Sequence, residues 1–329
     1  MHWNDSPSGG VLRKRVILLT PRGFCAGVVR AIDVVKIALD IYKPPIYVRK
    51  EIVHNRHVVD ELRTAGAIFV EELTEVPAGA RVIYSAHGVS PIVRQQALER
   101  KLQVIDATCP LVTKVHLEAL KFARDGYTIL LIGHREHDEV VGTMGEAPHV
   151  TIVVSSEEEA DQVTVPDPDR VCYLTQTTLS LDETSGIIAR LQARFPKMKG
   201  PPAQDICYAT ENRQLAVKAV AGECQLLLVV GSQNSSNSRR MVEVCRNVGT
   251  PAYLVDDEHD VDPAWMDGVH TVVVTAGASA PEHLVEELVK SLDRFGFQHV
   301  EEVEIKDEDV RFSLPGELQA PAALTQISL

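Results

Sequence analysis

The 329 residues predict an α/β protein of three similar small units with mainly parallel sheets. Three observations carry this expectation. Short, wholly apolar runs alternate with amphipathic helical spacing along the chain. A cysteine just ahead of a helical pattern recurs three times, at Cys25, Cys109 and Cys207. Polar residues follow each cysteine at matching distances, at the ends of apolar runs.

The runs Arg15 to Thr20, Ile46 to Val48, Ala67 to Val70 and Val82 to Ser85 read as buried strands. So do Val104 to Asp106, Tyr127 to Gly133, Val150 to Val154 and Val171 to Thr175. Leu226 to Gly231, Ala252 to Val255 and Thr271 to Ala276 complete the set. Strands without polar alternation are buried on both faces, as in parallel sheets covered by helices. Val28, Ala31, Ile32, Val35 and Leu39 fall on one helical face, as do Val112, Val115, Ala119 and Phe122. Glu157 to Glu159 reads as a solvated helix start.

His54, His137 and Ser235 follow their cysteines by 29, 28 and 28 residues. His87, Thr177 and Ser279 follow by 62, 68 and 72. Ligands of open α/β sheets bind at the carboxyl ends of strands, so three such edges can share one centre. The repeat sets the expected boundaries: a leader over 1–14, units over 15–100, 101–202 and 203–295, and a tail over 296–329.

Asp plus Glu number 46 against 33 Lys plus Arg, a formal charge of −13. That balance disfavours a nucleic-acid binder or an anionic-membrane binder, both of which need basic surface. Met1 to Gly10 is polar, with no apolar signal-peptide stretch, and reads as a loose leader. The longest apolar runs are far shorter than a membrane span. The expected compartment is the cytoplasm, where cysteines stay reduced and suit metal binding or catalysis better than bridging.

Three thiols from three units point to a metal site, because a thiolate at a helix N-terminus is stabilised by the dipole and by free amides. Zinc and iron–sulfur clusters both take such ligands, and three ligands leave one position open for chemistry. Spacing alone also allows three ordinary buried thiols, since no short Cys-x-x-Cys occurs. Cys172, Cys224 and Cys245 read as core. His134, His137 and Glu139 lack the i, i+4 histidine pair of a zinc protease helix. A buried Glu139 near histidines would be a proton donor; an exposed one would be a solvated helix-start carboxylate. Gly231 to Ser238 is a neutral, donor-rich turn fit for phosphate, or a plain N-cap loop. No P-loop and no Gly-x-Gly-x-x-Gly after the first strand supports nucleotide binding. The remaining readings are a zinc hydrolase on the same cysteines and an iron–sulfur sensor that binds a partner.

Nine ordered blocks carry a specific resemblance between Arg15 and about Asp293. They include Pro-Arg-Gly-Phe-Cys-Ala-Gly-Val, Glu-Ile-Val-His-Asn, Ser-Ala-His-Gly-Val-Ser and Asp-Ala-Thr-Cys-Pro-Leu-Val. Gly-Thr-Met-Gly-Glu, Thr-Gln-Thr-Thr-Leu-Ser, Asp-Ile-Cys-Tyr-Ala-Thr, Gly-Ser-Gln-Asn-Ser-Ser-Asn-Ser and Gly-Ala-Ser-Ala-Pro-Glu follow. The chain resembles the 4-hydroxy-3-methylbut-2-enyl diphosphate reductases, which form isopentenyl and dimethylallyl diphosphates in non-mevalonate isoprenoid synthesis. The resemblance implies a pseudo-three-fold trefoil around one [4Fe-4S] cluster held by Cys25, Cys109 and Cys207, with a fourth iron open to the substrate hydroxyl. It implies that His54, His87 and His137 contact the diphosphate, and that Ser235, Ser236, Asn237 and Ser279 complete the anion pocket. Thr177 and the proton donor Glu139 would face the hydroxymethyl end, with Thr178 and Thr210 beside matched positions. Electrons would come from a separate protein such as ferredoxin or flavodoxin. One departure is Asp138, where the family often has proline; a carboxylate there either alters the proton donor or faces solvent.

Overall fold

The computed structural model describes residues 13–319. The leader up to residue 12 and the tail from 320 onward lie outside the described residues. The chain opens with β1 (Arg15–Thr20) and α1 (Ala26–Tyr42). β2 (Ile46–Arg49), α2 (Arg56–Thr64), β3 (Ala67–Val70), β4 (Arg81–Tyr84), α3 (Pro91–Glu99) and β5 (Gln103–Asp106) follow. The second stretch holds α4 (Pro110–Arg124), β6 (Thr128–Ile132), α5 (Asp138–Glu146), β7 (Thr151–Val154), α6 (Glu157–Gln162), β8 (Val171–Thr175) and α7 (Leu181–Arg194). The third holds α8 (Tyr208–Val220), β9 (Leu226–Val230), α9 (Ser236–Asn247), β10 (Ala252–Val255), β11 (Thr271–Ala276), α10 (Glu282–Ser291) and β12 (His299–Glu304).

Three parallel sheets result, ordered β3-β2-β4-β5, β7-β6-β8 and β10-β9-β11-β1-β12. Each sheet is covered on both faces by apolar clusters, which is why its strands read as unbroken apolar runs. The helix face of Val28, Ala31, Ile32, Val35 and Leu39 is buried as its spacing requires. Cys172, Cys224 and Cys245 are buried in the core.

The sheets do not follow the expected unit boundaries. β1 pairs with β11 and β12, so it belongs to the third sheet and not to a unit over 15–100. β5 pairs with β4 and closes the first sheet, although 101–202 would assign it to the second unit. A consistent rule emerges from these pairings. Each cysteine follows the fourth strand of the preceding sheet: β1 before Cys25, β5 before Cys109. In the second sheet that strand is reduced to a single bridge, where Lys199 N–H donates to Val171 O at 3.0 Å and Lys199 O accepts from Tyr173 N–H at 2.9 Å. Too short to show an apolar run, it left Cys207 without a readable strand ahead of it.

The segment expected as a tail also has structure. β12 forms the outer edge of the third sheet, and its glutamates at 301, 302 and 304 blunt that edge. Beyond it, Leu318 is buried in the core around α1. Arg30 Nε donates to Ser313 O at 2.7 Å. Arg213, wholly buried, donates to Gly23 O at 2.7 Å and to both Glu308 oxygens at 3.1 and 3.2 Å. Breaking a buried pair of this kind typically costs ~3–5 kcal/mol, because one charge is left without compensation. Arg213→Met is expected to lower the unfolding free energy by about 3 kcal/mol in a urea titration. An unchanged midpoint would refute the structural weight given to this contact.

Candidate active site

Six helices begin at or beside residues that line one cavity. Cys25, Cys109 and Cys207 are the N-cap residues of α1, α4 and α8. Asn55, His137 and Ser235 cap α2, α5 and α9. Unpaired amides and aligned dipoles give each of these ends a partial positive charge. The cavity between them is lined by all thirteen residues expected from the sequence, with Thr210 besides.

The cysteines are fixed by three equivalent bonds. Cys25 N–H donates to Ala278 O at 3.1 Å, Cys109 N–H to Ala86 O at 3.0 Å, and Cys207 N–H to Thr177 O at 3.0 Å. Each acceptor sits in, or next to, the strand-end polar residue of the preceding sheet. One hydrogen-bond pattern, repeated three times, therefore locks thiols and polar residues into one frame. Burial and the neighbouring Cys25 push the Cys109 thiol up to about 12 and the Cys207 thiol up to about 11. Thiols crowded this way ionise together only when a cation compensates them. Gly27 leaves the room they need: a Cβ there would stand 2.8 Å from Cys109 Sγ and 3.8 Å from Cys25 Sγ.

Three histidines line the same cavity. The His54 and His87 rings stack with centroids 3.9 Å apart, and His137 meets them edge-on at 5.5 and 6.0 Å. Glu51 accepts from His54 Nδ1 at 3.2 Å and from Asn234 at 2.7 Å, which directs His54 Nε2 to the cavity. The hydrogen bond from His54 holds the Glu51 carboxyl below its ordinary range. Glu139 N–H donates to His137 Nδ1 at 3.2 Å, so His137 carries its proton on Nε2 as a donor. Burial lowers His87 well below the usual histidine value and lowers His137 to about 4; the adjacent histidines act in the same direction.

Glu139 is buried, and burial raises its carboxyl above the ordinary range. Thr177 N–H donates to Oε2 at 3.0 Å, and its hydroxyl lies 2.9 and 3.0 Å from the two oxygens. The reading of Glu139 as a solvated carboxylate is thereby excluded. Asp138 makes no side-chain hydrogen bond to it. The Asp138 carboxylate instead lies within 4.8 Å of ligand atoms of His54 and His87, and Lys50 Nζ approaches it at 3.9 Å.

Some expected residues are already engaged. Asn237 accepts from Ala278 N–H at 2.9 Å and donates to Thr210 Oγ1 at 3.2 Å, and that hydroxyl lies 3.2 Å from Cys207 Sγ. Ser279 donates to His54 O at 2.8 Å, and Ser236 to Thr178 O at 2.9 Å. Several contributors escaped sequence reasoning. Glu51 and Gln176 lay inside quoted motifs, where only the neighbouring residue drew notice; Gln176 donates to Thr178 Oγ1 at 2.8 Å. Tyr208 accepts from Ala26 N–H at 3.1 Å beside Cys25. Phe312 reaches the cavity from the C-terminal segment, where no motif marks it.

Fold and site together define an α/β protein whose converging thiols suit a metal. The chain belongs to the family described as LytB protein, which matches residues 16–293. A Mycobacterium bovis relative, 4-hydroxy-3-methylbut-2-enyl diphosphate reductase 1, is 59% identical over 310 residues, 94% of this chain and 92% of its own. The Rhodococcus jostii 4-hydroxy-3-methylbut-2-enyl diphosphate reductase is 58% identical over 308 residues, 93% and 92% of the two chains. The solved E-1-hydroxy-2-methyl-but-2-enyl-4-diphosphate reductase of Plasmodium falciparum superposes with a TM-score of 0.92 at 40% identity, covering 95% of this chain and 99% of its own. A second solved (E)-4-hydroxy-3-methyl-but-2-enyl diphosphate reductase, described as the terminal enzyme of the non-mevalonate pathway, gives 0.61 at 29% identity over 85% and 99%. No helix among the described residues is long and apolar enough to cross a membrane.

Two outcomes test this geometry. Gly27→Ala is expected to keep the circular dichroism of the parent while losing most bound metal, measured per chain by elemental analysis; full metal content would refute the close approach. The histidines give a pH dependence. Their folded-state values lie below the ordinary ~6.5, so between that value and about 4 the unfolded chain holds more protons. Stability from this source is complete above the ordinary value and is lost as pH falls towards the folded one. Urea midpoints should therefore drop from pH 7 to pH 5, and drop less in His137→Asn.

Proposed function

We propose that this chain removes the hydroxyl of 4-hydroxy-3-methylbut-2-enyl diphosphate reductively, giving isopentenyl and dimethylallyl diphosphates and water. Two electrons and two protons balance the reaction. The observation that carries this reading is that one cavity is lined by three N-cap cysteines, three histidines and a buried acid.

The donor set fits a [4Fe-4S] cluster on Cys25, Cys109 and Cys207. Sulfurs on one tetrahedral zinc, bonded at ~2.3 Å, sit roughly 3.8 Å apart. The three sulfurs here do not all lie within 4.8 Å of one another, a spread suited to a group larger than one ion. Gly27 keeps side-chain bulk away from that space. When bound, the cluster supplies electrons singly and an iron free of protein thiolate that acts as a Lewis acid.

The chain's own residues do the rest. His137 Nε2–H, the donors of His54 and His87, and the amides of the α9 N-terminus grip the diphosphate. Ser235, Ser236, Asn237 and Ser279 fix the walls of that pocket. Val28, Val53, Leu111 and Val112 line the cavity and exclude water from the carbon chain. Glu139, raised by burial, holds a proton and passes it through the Thr177 hydroxyl to the departing oxygen. Thr178 and Thr210 brace this end through Gln176 and Asn237. Electrons enter from a separate carrier such as ferredoxin or flavodoxin, in the cytoplasm. A sensor would have no use for the buried Glu139–Thr177 pair.

Anaerobically purified protein should be brown and should turn over the allylic diphosphate with a strong reductant. Glu139→Gln is expected to keep iron content and substrate affinity while losing about 10²-fold or more in kcat, the usual contribution of a general acid. A colourless protein with one zinc would overturn the proposal. Full activity in Glu139→Gln would remove the acid from the mechanism.

A further inference from the structure

One buried titratable cluster lies outside the cavity and touches the chemistry above only through charge, His116 acting to lower the Glu139 carboxyl. His116 sits two turns along α4 from Cys109 and is 6% exposed. Its Nδ1 meets Glu146 Oε1 at 2.8 Å. Glu146 ends α5 and also accepts from Arg94 at 2.5 Å, while Arg94 donates to Val89 O at 3.1 Å. Burial pushes the Glu146 carboxyl up, but the bonds from His116 and Arg94 bring it below its ordinary range. A carboxylate partner makes Nδ1 a protonated donor. The other nitrogen, Nε2, is buried and has no hydrogen-bond partner among the described residues.

That free edge abuts two glycines. A Cβ on Gly88 would stand 3.2 Å from Nε2, and a Cβ on Gly142 would stand 3.2 Å from both Nε2 and Cε1. Gly88, at φ +80°, directly follows His87. Gly142 lies one turn after Glu139 on α5, the helix capped by His137. The ring is therefore wedged between the loop of one cavity histidine and the helix bearing another together with the acid. Glu146, at the far end of that helix, holds the wedge in place.

We propose that His116, clamped by Glu146, is a positioning residue that sets the gap between the His87 loop and α5. It thereby holds His87 and His137 where they grip one diphosphate together. This role rests on the diphosphate reading of the cavity. Displacements of an ångström at such a site are expensive, because several donors must converge on one anion.

The test uses the full chain, purified anaerobically with labelled histidine rings and titrated with inorganic diphosphate by calorimetry. His116→Asn keeps a donor for Glu146 but withdraws the ring edge. The His87 and His137 ring resonances should shift in the ligand-free protein, and diphosphate should bind about tenfold more weakly. Gly142→Ala should weaken binding in the parent, where its methyl meets the ring. In the His116→Asn background the same methyl fills the vacated space and should restore binding. Lost stability alone would not reverse that sign, which a double-mutant cycle reads directly. Parent-like resonances and affinity in His116→Asn, or the same Gly142→Ala effect in both backgrounds, would overturn the proposal. Should His116→Asn fail to fold, Glu146→Gln carries the test: shifts in the same two resonances are expected, and their absence refutes the role. A parent that ignores diphosphate would count against the diphosphate reading alone, since the ligand-free resonances still decide the positioning.

Discussion

Three backbone hydrogen bonds organise this molecule: those from the amides of Cys25, Cys109 and Cys207 to carbonyls at Ala278, Ala86 and Thr177. Each ties the start of one helix to the strand-end loop of the preceding sheet. Because the pattern closes after three steps, the sheets cannot shift independently without breaking it. The thiols are placed by this closure and not by local cysteine spacing, which explains why residues 84 and 98 positions apart share one cavity.

The same closure resolves the apparent conflict between a charge of −13 and an anionic site. Net charge governs the far field; the cavity feels helix N-termini that begin at or beside its walls. Partial charges of that kind are permanent and already oriented, so they need no lysine cluster and cost nothing to arrange on binding. Burial keeps His87 and His137 poised as neutral donors, while Glu51 and Glu139 fix which nitrogen bears the proton.

Much of this was legible in the sequence, for a physical reason. A parallel strand covered on both faces must be apolar throughout, so nearly every strand announced itself, and the cysteine repeat located their functional ends. Sheet membership was not legible. β1 is equally apolar beside β2 or beside β11, and nothing in its own residues names the partner. The one-residue bridge at Lys199 buries too little to leave a pattern. Residues acting through others, such as Glu51 and Gln176, look like ordinary surface polar residues until their hydrogen bonds are seen. Asp138 shows the converse: its identity was conspicuous, yet only the fold shows that it faces histidines and not the acid one residue later.

The pairing of β1 between β11 and β12 has a consequence for biogenesis. Polypeptide leaves the ribosome from the amino end, so β1 and Cys25 emerge first and wait for neighbours made nearly last. The third sheet cannot be completed, nor Phe312 and Leu318 seated, until translation is almost finished. Until then β1 lacks both of its parallel neighbours and Cys25 lacks the Ala278 carbonyl that fixes its amide, so the order of the sequence defers completion of the cavity to the end of synthesis.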